Sequence, residues 1–120
     1  MCLFKKSYIP RIAFKDKVVY KIFIKDKDLY STPFQRYNCE IGDIIKSNKS
    51  FIKGLFKRTI HGEGVHAYKN YTEAYWNKFC IDAGILNRVV IGCIIPKFTP
   101  YWLGKGNEIA AGKIKLVKEI

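Results

Sequence analysis

The stretch from Gly62 to Tyr68, Gly-Glu-Gly-Val-His-Ala-Tyr, holds the residues with the clearest chemical potential. If its last four residues are extended, His66 and Tyr68 lie on one face of a strand, because alternate side chains share a face. Gly62 and Gly64 allow positive φ or close backbone approach, which suits a phosphate-binding turn or simply a bulge at a strand entrance. The pattern lacks the Lys-Ser pair of a P-loop and the third glycine of a dinucleotide fingerprint. We expect a site to border this stretch.

Glu108 can join His66 and Tyr68 if a late strand reaches theirs. A histidine, a tyrosine and a glutamate on one sheet face resemble the residue set of ADP-ribosyltransferase-like folds, where the first two hold NAD and the glutamate orients the acceptor. This chain is short for that family and has no Ser-Thr-Ser stretch or Glu-x-Glu pair. The resemblance implies an NAD-using enzyme as one alternative. A half-buried histidine with satisfied hydrogen bonds is the other interpretation of His66.

The cysteines indicate neither a metal site nor a nucleophile. The chain has four, at Cys2, Cys39, Cys80 and Cys93. No spacing is CxxC and no paired-histidine motif accompanies them, so we expect no zinc or other metal and no cofactor. A catalytic pair of Cys39 or Cys80 with His61 or His66 is open in principle, but the order of these residues does not favour it. Cys93 lies in an apolar run, where a buried thiol acts as a small hydrophobe.

Positive charge dominates the composition. There are 22 Lys and Arg against 10 Asp and Glu, a net charge of +12 in 120 residues. Residues 1–60 hold 14 basic and 5 acidic residues, net +9, whereas residues 61–120 hold 8 and 5, net +3. Such an excess favours polyanions, anionic small ligands or an acidic protein surface as partners. A surface that is merely rich in lysine would have the same composition.

The basic run, which we define as residues 46–58, contains no acid. Its cations are Lys46, Lys49, Lys53, Lys57 and Arg58, interleaved with Phe51, Leu55 and Phe56. Cations mixed with aromatic rings suit phosphate backbones and stacked bases, although a solvated lysine-rich hairpin has the same pattern. The second half adds rings at Tyr71, Tyr75, Trp76, Tyr101 and Trp102. Most of these rings must build the core of so small a domain.

We therefore predict a non-catalytic site for an anionic ligand, either nucleic acid or a nucleotide such as a defence second messenger. The expected ligand-binding residues are Lys49, Lys53, Lys57 and Arg58 for charge, and His66, Tyr68 and Trp102 for a polar and stacking wall. The alternatives are the NAD-using enzyme and a virion or host-takeover protein that docks an acidic protein. The sequence leaves open the oligomeric state, and whether the basic run and the His66 strand share a face.

The elements that position these residues form one domain, because 120 residues that are 48% apolar can bury one core but not two. Residues 18–25 alternate like a strand with one face buried and the other mixed. The β-branched run Arg88–Ile95 predicts a central strand. Asn70, answered by Glu73 three residues later, predicts a capped helix that runs through Ala83, with a glycine following as its C-cap.

Shorter elements complete the sheet. Residues 37–45 predict a short strand broken near a glycine, and residues 51–60 are ambiguous between helix and strand. Tyr101–Leu103 and Glu108–Ala110 flank a four-residue turn, and residues 113–117 alternate as a closing strand. The predicted fold class is therefore α+β: a small single domain with a mostly antiparallel, curved sheet and one principal helix.

Residues 1–17 are predicted to be a basic N-terminal arm, and residues 18–120 the single α+β domain. Lys5 and Lys6 are not followed by an apolar stretch that would suit a signal peptide, and no segment approaches a membrane span. We therefore expect no membrane partner and a reduced, cytoplasmic location.

The chain also resembles a group of small uncharacterised proteins from gut Bacteroidetes and their phages. The likeness covers nearly all 120 residues. It is carried by Met1-Cys2-Leu3-Phe4, Val19-Tyr20-Lys21, Thr32-Pro33-Phe34, Gly64-Val65-His66-Ala67-Tyr68, Cys93-Ile94-Ile95-Pro96-Lys97 and Glu108-Ile109-Ala110. The pattern has a glycine after Ile-Pro-Lys, where this chain has Phe98. The resemblance implies one small domain and a phage or prophage context, hence host cytoplasm, and it implies no activity.

Overall fold

The computed structural model describes residues 3–32, 38–47, 51–60, 63–80 and 87–120. Within these residues the chain forms short and medium β-strands, a 3₁₀ helix (Phe51–Gly54) and the α-helix α1 (Tyr71–Cys80). The strands are β1 (Leu3–Phe4), β2 (Arg11–Ile12), β3 (Lys17–Asp26), β4 (Leu29–Ser31), β5 (Asn38–Cys39), β6 (Ile44–Lys46), β7 (Thr59–Ile60), β8 (Val65–Tyr68), β9 (Arg88–Ile95), β10 (Pro100–Leu103), β11 (Glu108–Ala111) and β12 (Lys113–Glu119).

The main sheet has the strand order β2-β10-β11-β8-β3-β9-β12-β6, and β4 joins it by pairing with β3 and with β5. A separate two-stranded sheet is formed by β1 and β7. The pairings in both sheets are antiparallel, and the main sheet does not close into a barrel. The predicted α+β class, with a mostly antiparallel sheet and one principal helix, is confirmed.

A bend at Gly112 curves the sheet. β11 and β12 are separated by this residue alone, yet they occupy the third and seventh positions in the strand order. On one side of the bend Ala111 pairs with Val65, and on the other Lys113 pairs with Lys46. Since one bent strand serves both halves of the sheet, the strands between them must curve around the core.

The two faces of the sheet carry different cores. The inner face holds the main core, which includes Val19, Phe23, Val65, Ala67, Ile91, Cys93, Ile95, Ile109, Ile114 and Leu116. The outer face holds two smaller clusters. One packs Ile22, Tyr68 and Val90 against Ala74 of α1, and the other packs Trp102 and Ala110 against Leu3 and Ile60 of the small sheet, with Phe51 and Leu55 beside them.

The two long strands confirm their sequence patterns, with one correction. β9 is central, between β3 and β12, and pairs with β3 along its whole length. The face of β3 expected to be buried carries Val18, Tyr20, Ile22 and Ile24, and the mixed face carries Val19, Lys21, Phe23 and Lys25. It is the mixed face that lies inward, because Val19 and Phe23 are fully buried in the main core, whereas Val18 on the other face is 57% exposed. Both faces of β3 are rich in apolar residues, so packing against the rest of the chain decides which one faces the core.

Helix α1 begins directly after Asn70, as predicted, and is described as far as Cys80. The predicted continuation to Ala83 and the glycine C-cap lie outside the described residues. Glu73 was expected to answer the N-cap; its carboxylate Oε1 accepts a hydrogen bond from Asn107 Nδ2 at 3.1 Å. This contact ties the first turn of the helix to the hairpin between β10 and β11.

The ambiguous segment 51–60 is a 3₁₀ helix followed by a short strand. Gly54 explains why this segment packs so closely. A Cβ added there would lie 2.8 Å from Trp102 Cη2 and 2.9 Å from Ile60 Cδ1. Glycine is therefore needed for the 3₁₀ helix to approach the outer face, where the Phe51 ring stacks on Trp102 at 3.8 Å between centroids.

The predicted N-terminal arm is joined to the domain at several points. Leu3 is fully buried and pairs with Ile60 in the small sheet. β2 pairs with β10 at the edge of the main sheet, and Ala13 belongs to the main core. The backbone that carries the exposed side chains of residues 11–17 is therefore held in place relative to β10.

Candidate functional site

The aromatic and histidine residues of the predicted site share the outer face. Trp102 pairs with Ala110, and Ala110 pairs with His66, so the three side chains lie on one side of three adjacent strands. Tyr68, two residues after His66, lies on that side as well. All three predicted rings are nevertheless buried: Trp102 is 1% exposed, Tyr68 6% and His66 7%.

Part of the basic run packs on the same outer face of the sheet. Its 3₁₀ helix covers Trp102, while Lys53, Lys57 and Arg58 are exposed to solvent. Lys49 lies outside the described residues. For residues 51–58 the structure thus answers the question of the shared face: this part of the run and the His66 strand lie on one side of the sheet, with the cations outermost and the rings beneath. Lys46 lies apart from them, in β6 at the other end of the main sheet. A ligand at the cations would not touch His66 or Trp102 in this conformation.

Lys57 already has an anionic partner inside the protein. Its Nζ lies 2.6 Å from Oε1 of Glu63, whose side chain is 1% exposed. A buried carboxylate needs such a partner, because burial disfavours the charged form. Lys53 and Arg58 are therefore better placed than Lys57 to meet a ligand from solvent.

Lys5, which the sequence did not single out, lies under the basic run. It is 3% exposed, and its Nζ donates to the carbonyls of Gly54 at 2.5 Å and Leu55 at 3.2 Å. The same ammonium lies 4.1 Å from the centroid of the Trp102 ring, a cation–π distance. Burial lowers the pKa of Lys5, and the negative charge of Glu63 opposes this. Lys5 stabilises the run from below.

The histidine, tyrosine and glutamate of the NAD alternative do come together. β8 is extended, so His66 and Tyr68 share a face as predicted, and Glu108 pairs directly with Tyr68. Tyr68 packs under Ala74 of α1, in a cluster with Ile22. Because the histidine and tyrosine rings are buried, a dinucleotide in solution does not reach them in this conformation.

The buried thiols of Cys39 and Cys93 on the inner face are unsuited to nucleophilic catalysis at neutral pH. Burial raises the pKa of the Cys93 thiol to about 12, and burial also raises that of Cys39. Lys21 donates from Nζ to the His66 carbonyl at 2.7 Å, and burial lowers its pKa to about 8. A thiol must ionise to attack, so Cys39 does not support the Cys–His alternative; the side chain of Cys80 and the whole of His61 lie outside what the structure describes.

A groove of about 760 Å³ lies at the edge of the sheet where β2 pairs with β10. We call it the N-terminal groove. It is lined by Arg11, Ile12, Ala13, Phe14, Lys15, Asp16, Lys17, Val18 and Tyr101. Arg11 and Lys15 are exposed, Lys17 is half-buried, and Lys17 Nζ lies 5.8 Å from the centroid of the Tyr101 ring. Three cations against one acid give the groove a positive charge.

The turn after β9 borders this groove. The Phe98 amide donates to the Ala13 carbonyl at 2.6 Å, and the Ala13 amide donates to the Thr99 carbonyl at 3.1 Å. Asp16 Oδ1 accepts from the Lys97 amide at 2.9 Å, so the one acid of the groove also holds the turn. Lys97, which is exposed, thereby becomes a fourth cation beside the groove.

Two phenylalanine rings near these cations are exposed to solvent. Phe14 is 83% exposed and Phe98 is 68% exposed, with Lys97 Nζ 4.9 Å from the Phe98 ring centroid. The sequence offered one signal for this site, the basic character of residues 1–17. It could not show that this segment returns to the turn at Phe98, because that contact spans more than 80 residues of chain.

Among the described residues no group of three or more His, Cys, Asp and Glu side chains could hold a metal ion. Over the same part of the chain, no helix has the length and apolar character needed to cross a membrane. Comparison with protein-family models, with curated proteins and with solved structures found no match to this chain.

Proposed function

We propose that this protein is a small, non-catalytic binding protein for an anionic ligand of the nucleic-acid class, and that the N-terminal groove is its main contact. The observation that carries the proposal is the combination, within one groove, of Arg11, Lys15 and Lys17 with exposed aromatic surface. Cations neutralise phosphates and release counterions, while rings bind bases. The resemblance to phage proteins fits a role in the host cytoplasm.

The basic run is a second contact area in this proposal. Lys53 and Arg58 are exposed, and both the run and the groove are anchored on β10: Phe51 stacks on Trp102, and Arg11 pairs with Tyr101. A ligand long enough to pass β10 can meet both sets of cations. A single nucleotide can meet only one, so the two areas together favour a polymer.

The other two functions have less support. The NAD enzyme requires ligand contact with His66 and Tyr68, which are buried. Docking of an acidic protein needs only the charge and leaves the exposed phenylalanines beside the groove without a role. Turnover of NAD that is lost in Glu108→Gln would support the enzyme instead. Co-purification with an acidic protein that survives nuclease treatment would support the docking protein.

The test is the salt dependence of polyanion binding by charge-matched variants. The groove variant is Arg11→Gln/Lys15→Gln, and its control is Lys115→Gln/Lys118→Gln on β12, which removes the same charge from exposed positions elsewhere. For a single strand, the slope of log affinity against log salt should fall by about 1.4 in the groove variant, roughly 0.7 for each lost phosphate contact. Equal losses in both variants would show that only net charge matters, and would contradict the groove.

A further inference from the structure

We infer that the ligand of the N-terminal groove is a single-stranded polynucleotide whose unpaired bases stack on Phe14 and Phe98. The inference rests on the proposed function and narrows it, because the proposal requires only an anionic nucleic-acid ligand. It depends on the backbone of Phe98, the exposure of the two rings and the cations around them.

Phe98 occupies a backbone conformation that favours glycine. Its φ is +70°, in a turn closed by the Thr99 amide, which donates to the Pro96 carbonyl at 3.1 Å. The third position of a turn with positive φ is normally glycine or asparagine, because a Cβ is strained there. The chain therefore holds a bulky ring where folding alone would favour no side chain.

The Phe98 ring contributes little to the stability of the fold that could offset this strain. It is 68% exposed, so it buries little apolar surface. Strained residues of this kind are concentrated at sites of function. Lys97 Nζ lies 4.9 Å from the centroid of the ring. A ring presented to solvent beside a cation is suited to an aromatic ligand that carries negative charge.

Phe14 follows a residue whose backbone is hydrogen-bonded to the Phe98 turn. The residue before it, Ala13, is hydrogen-bonded to both Phe98 and Thr99, so the two phenylalanines are attached to one paired piece of backbone. Phe14 is 83% exposed and lines the groove with Arg11 and Lys15. Two exposed rings beside cations are the residue types that bind a single strand, the rings for its bases and the cations for its phosphates.

The chemistry selects a single strand over a duplex or a protein partner. Bases in a duplex are stacked on each other, so a duplex presents phosphates to the cations but no free base to the rings. An apolar protein surface would bury the rings but leave the four cations of the groove and turn without partners, which costs free energy. A single strand satisfies rings and cations together.

The experiment measures fluorescence anisotropy of a labelled oligothymidylate of about 15 nucleotides, a duplex of equal length and labelled heparin, at low salt. The variants are Phe14→Ala and Phe98→Gly. The control is Trp76→Ala, which removes a ring that is 63% exposed on α1, outside the groove and the basic run. We expect Phe14→Ala and Phe98→Gly each to lose about tenfold or more in affinity for the single strand, because a base loses its stacking partner. Affinity for heparin or duplex should change little.

Thermal unfolding of Phe98→Gly separates a binding role from a structural one. Relief of the positive φ should raise its Tm while single-strand affinity falls. A fall in both would show that the ring stabilises the fold and would overturn the inference. So would equal binding of single strand, duplex and heparin by all variants, or a loss confined to Trp76→Ala, although the proposed function would survive both. Absence of binding to every polyanion at low salt would overturn the proposed function itself.

Discussion

The Lys57 ammonium lies 2.6 Å from the carboxylate of Glu63, a side chain that is 1% exposed. One of the cations expected to hold a ligand is therefore committed to an internal charge. The pair also joins the basic run to the loop that enters β8, next to the buried Lys5 and Trp102. Charge on this side of the molecule thus has two roles: Lys57 and Lys5 stabilise the fold, while Lys53 and Arg58 remain exposed.

Lys57→Met should destabilise the protein by about 2 kcal/mol, because it removes the cation that compensates a buried carboxylate. Urea unfolding at neutral pH measures the change. Lys53→Met is the matched control, since Lys53 is an exposed lysine four residues earlier in the same run; we expect it to change stability by less than about 0.5 kcal/mol. If the two variants are equally stable, the ion pair contributes nothing to folding.

Gly54→Ala should lower stability by about 1–3 kcal/mol, because the added Cβ would overlap Trp102 and Ile60 and force the 3₁₀ helix away from the outer face. Tryptophan fluorescence and near-UV circular dichroism should change with it, since the Phe51–Trp102 stack must open. Gly106→Ala is the control, because a Cβ there meets nothing within 4 Å. An unchanged tryptophan signal in Gly54→Ala would contradict this packing.

Lys21 should make stability rise with pH just above neutrality. Burial lowers its pKa to about 8 from 10.5, so between these values the unfolded chain keeps a proton that the folded chain has released. The free energy of unfolding then increases with pH. Cys93 acts in the opposite direction above about pH 9, because its pKa is raised in the folded state. Urea unfolding at about pH 7.5 and pH 9 should therefore show a gain in the native protein relative to Lys21→Met; parallel behaviour of the two proteins would rule out a depressed lysine pKa.

Glu119 should contribute stability that is lost in acid. Its carboxylate accepts hydrogen bonds from Lys25 and, at 3.0 Å, from the Tyr30 hydroxyl, and these contacts lower its pKa. A depressed carboxyl pKa adds stability above the ordinary value of 4.5, and that stability disappears as the pH falls through the folded pKa. Glu119→Gln should therefore differ from the native protein at pH 7 more than at about pH 3. A constant difference across this range would exclude the ionised carboxylate as its source.

Elements with a strong local signal were predictable from the sequence. The β-branched residues of Arg88–Ile95 indicated the central strand, and the turn between Leu103 and Glu108 indicated a hairpin that the structure confirms. The shared face of His66 and Tyr68 followed from the period of an extended strand. Each of these features depends on residues close together in the chain, where propensity and periodicity act directly.

The arrangement of charge was decided by tertiary structure. Nothing local marks Lys5 as a buried cation under Trp102, or shows that Lys57 is bound to Glu63 while Lys53 is exposed. The single-residue connection at Gly112 curves the sheet, and the inward face of β3 is fixed by packing from distant strands. Burial and ion pairing depend on which residues meet across the fold. Composition and charge could thus indicate an anionic ligand, but only the folded chain brings Phe14 and Phe98 together beside one groove.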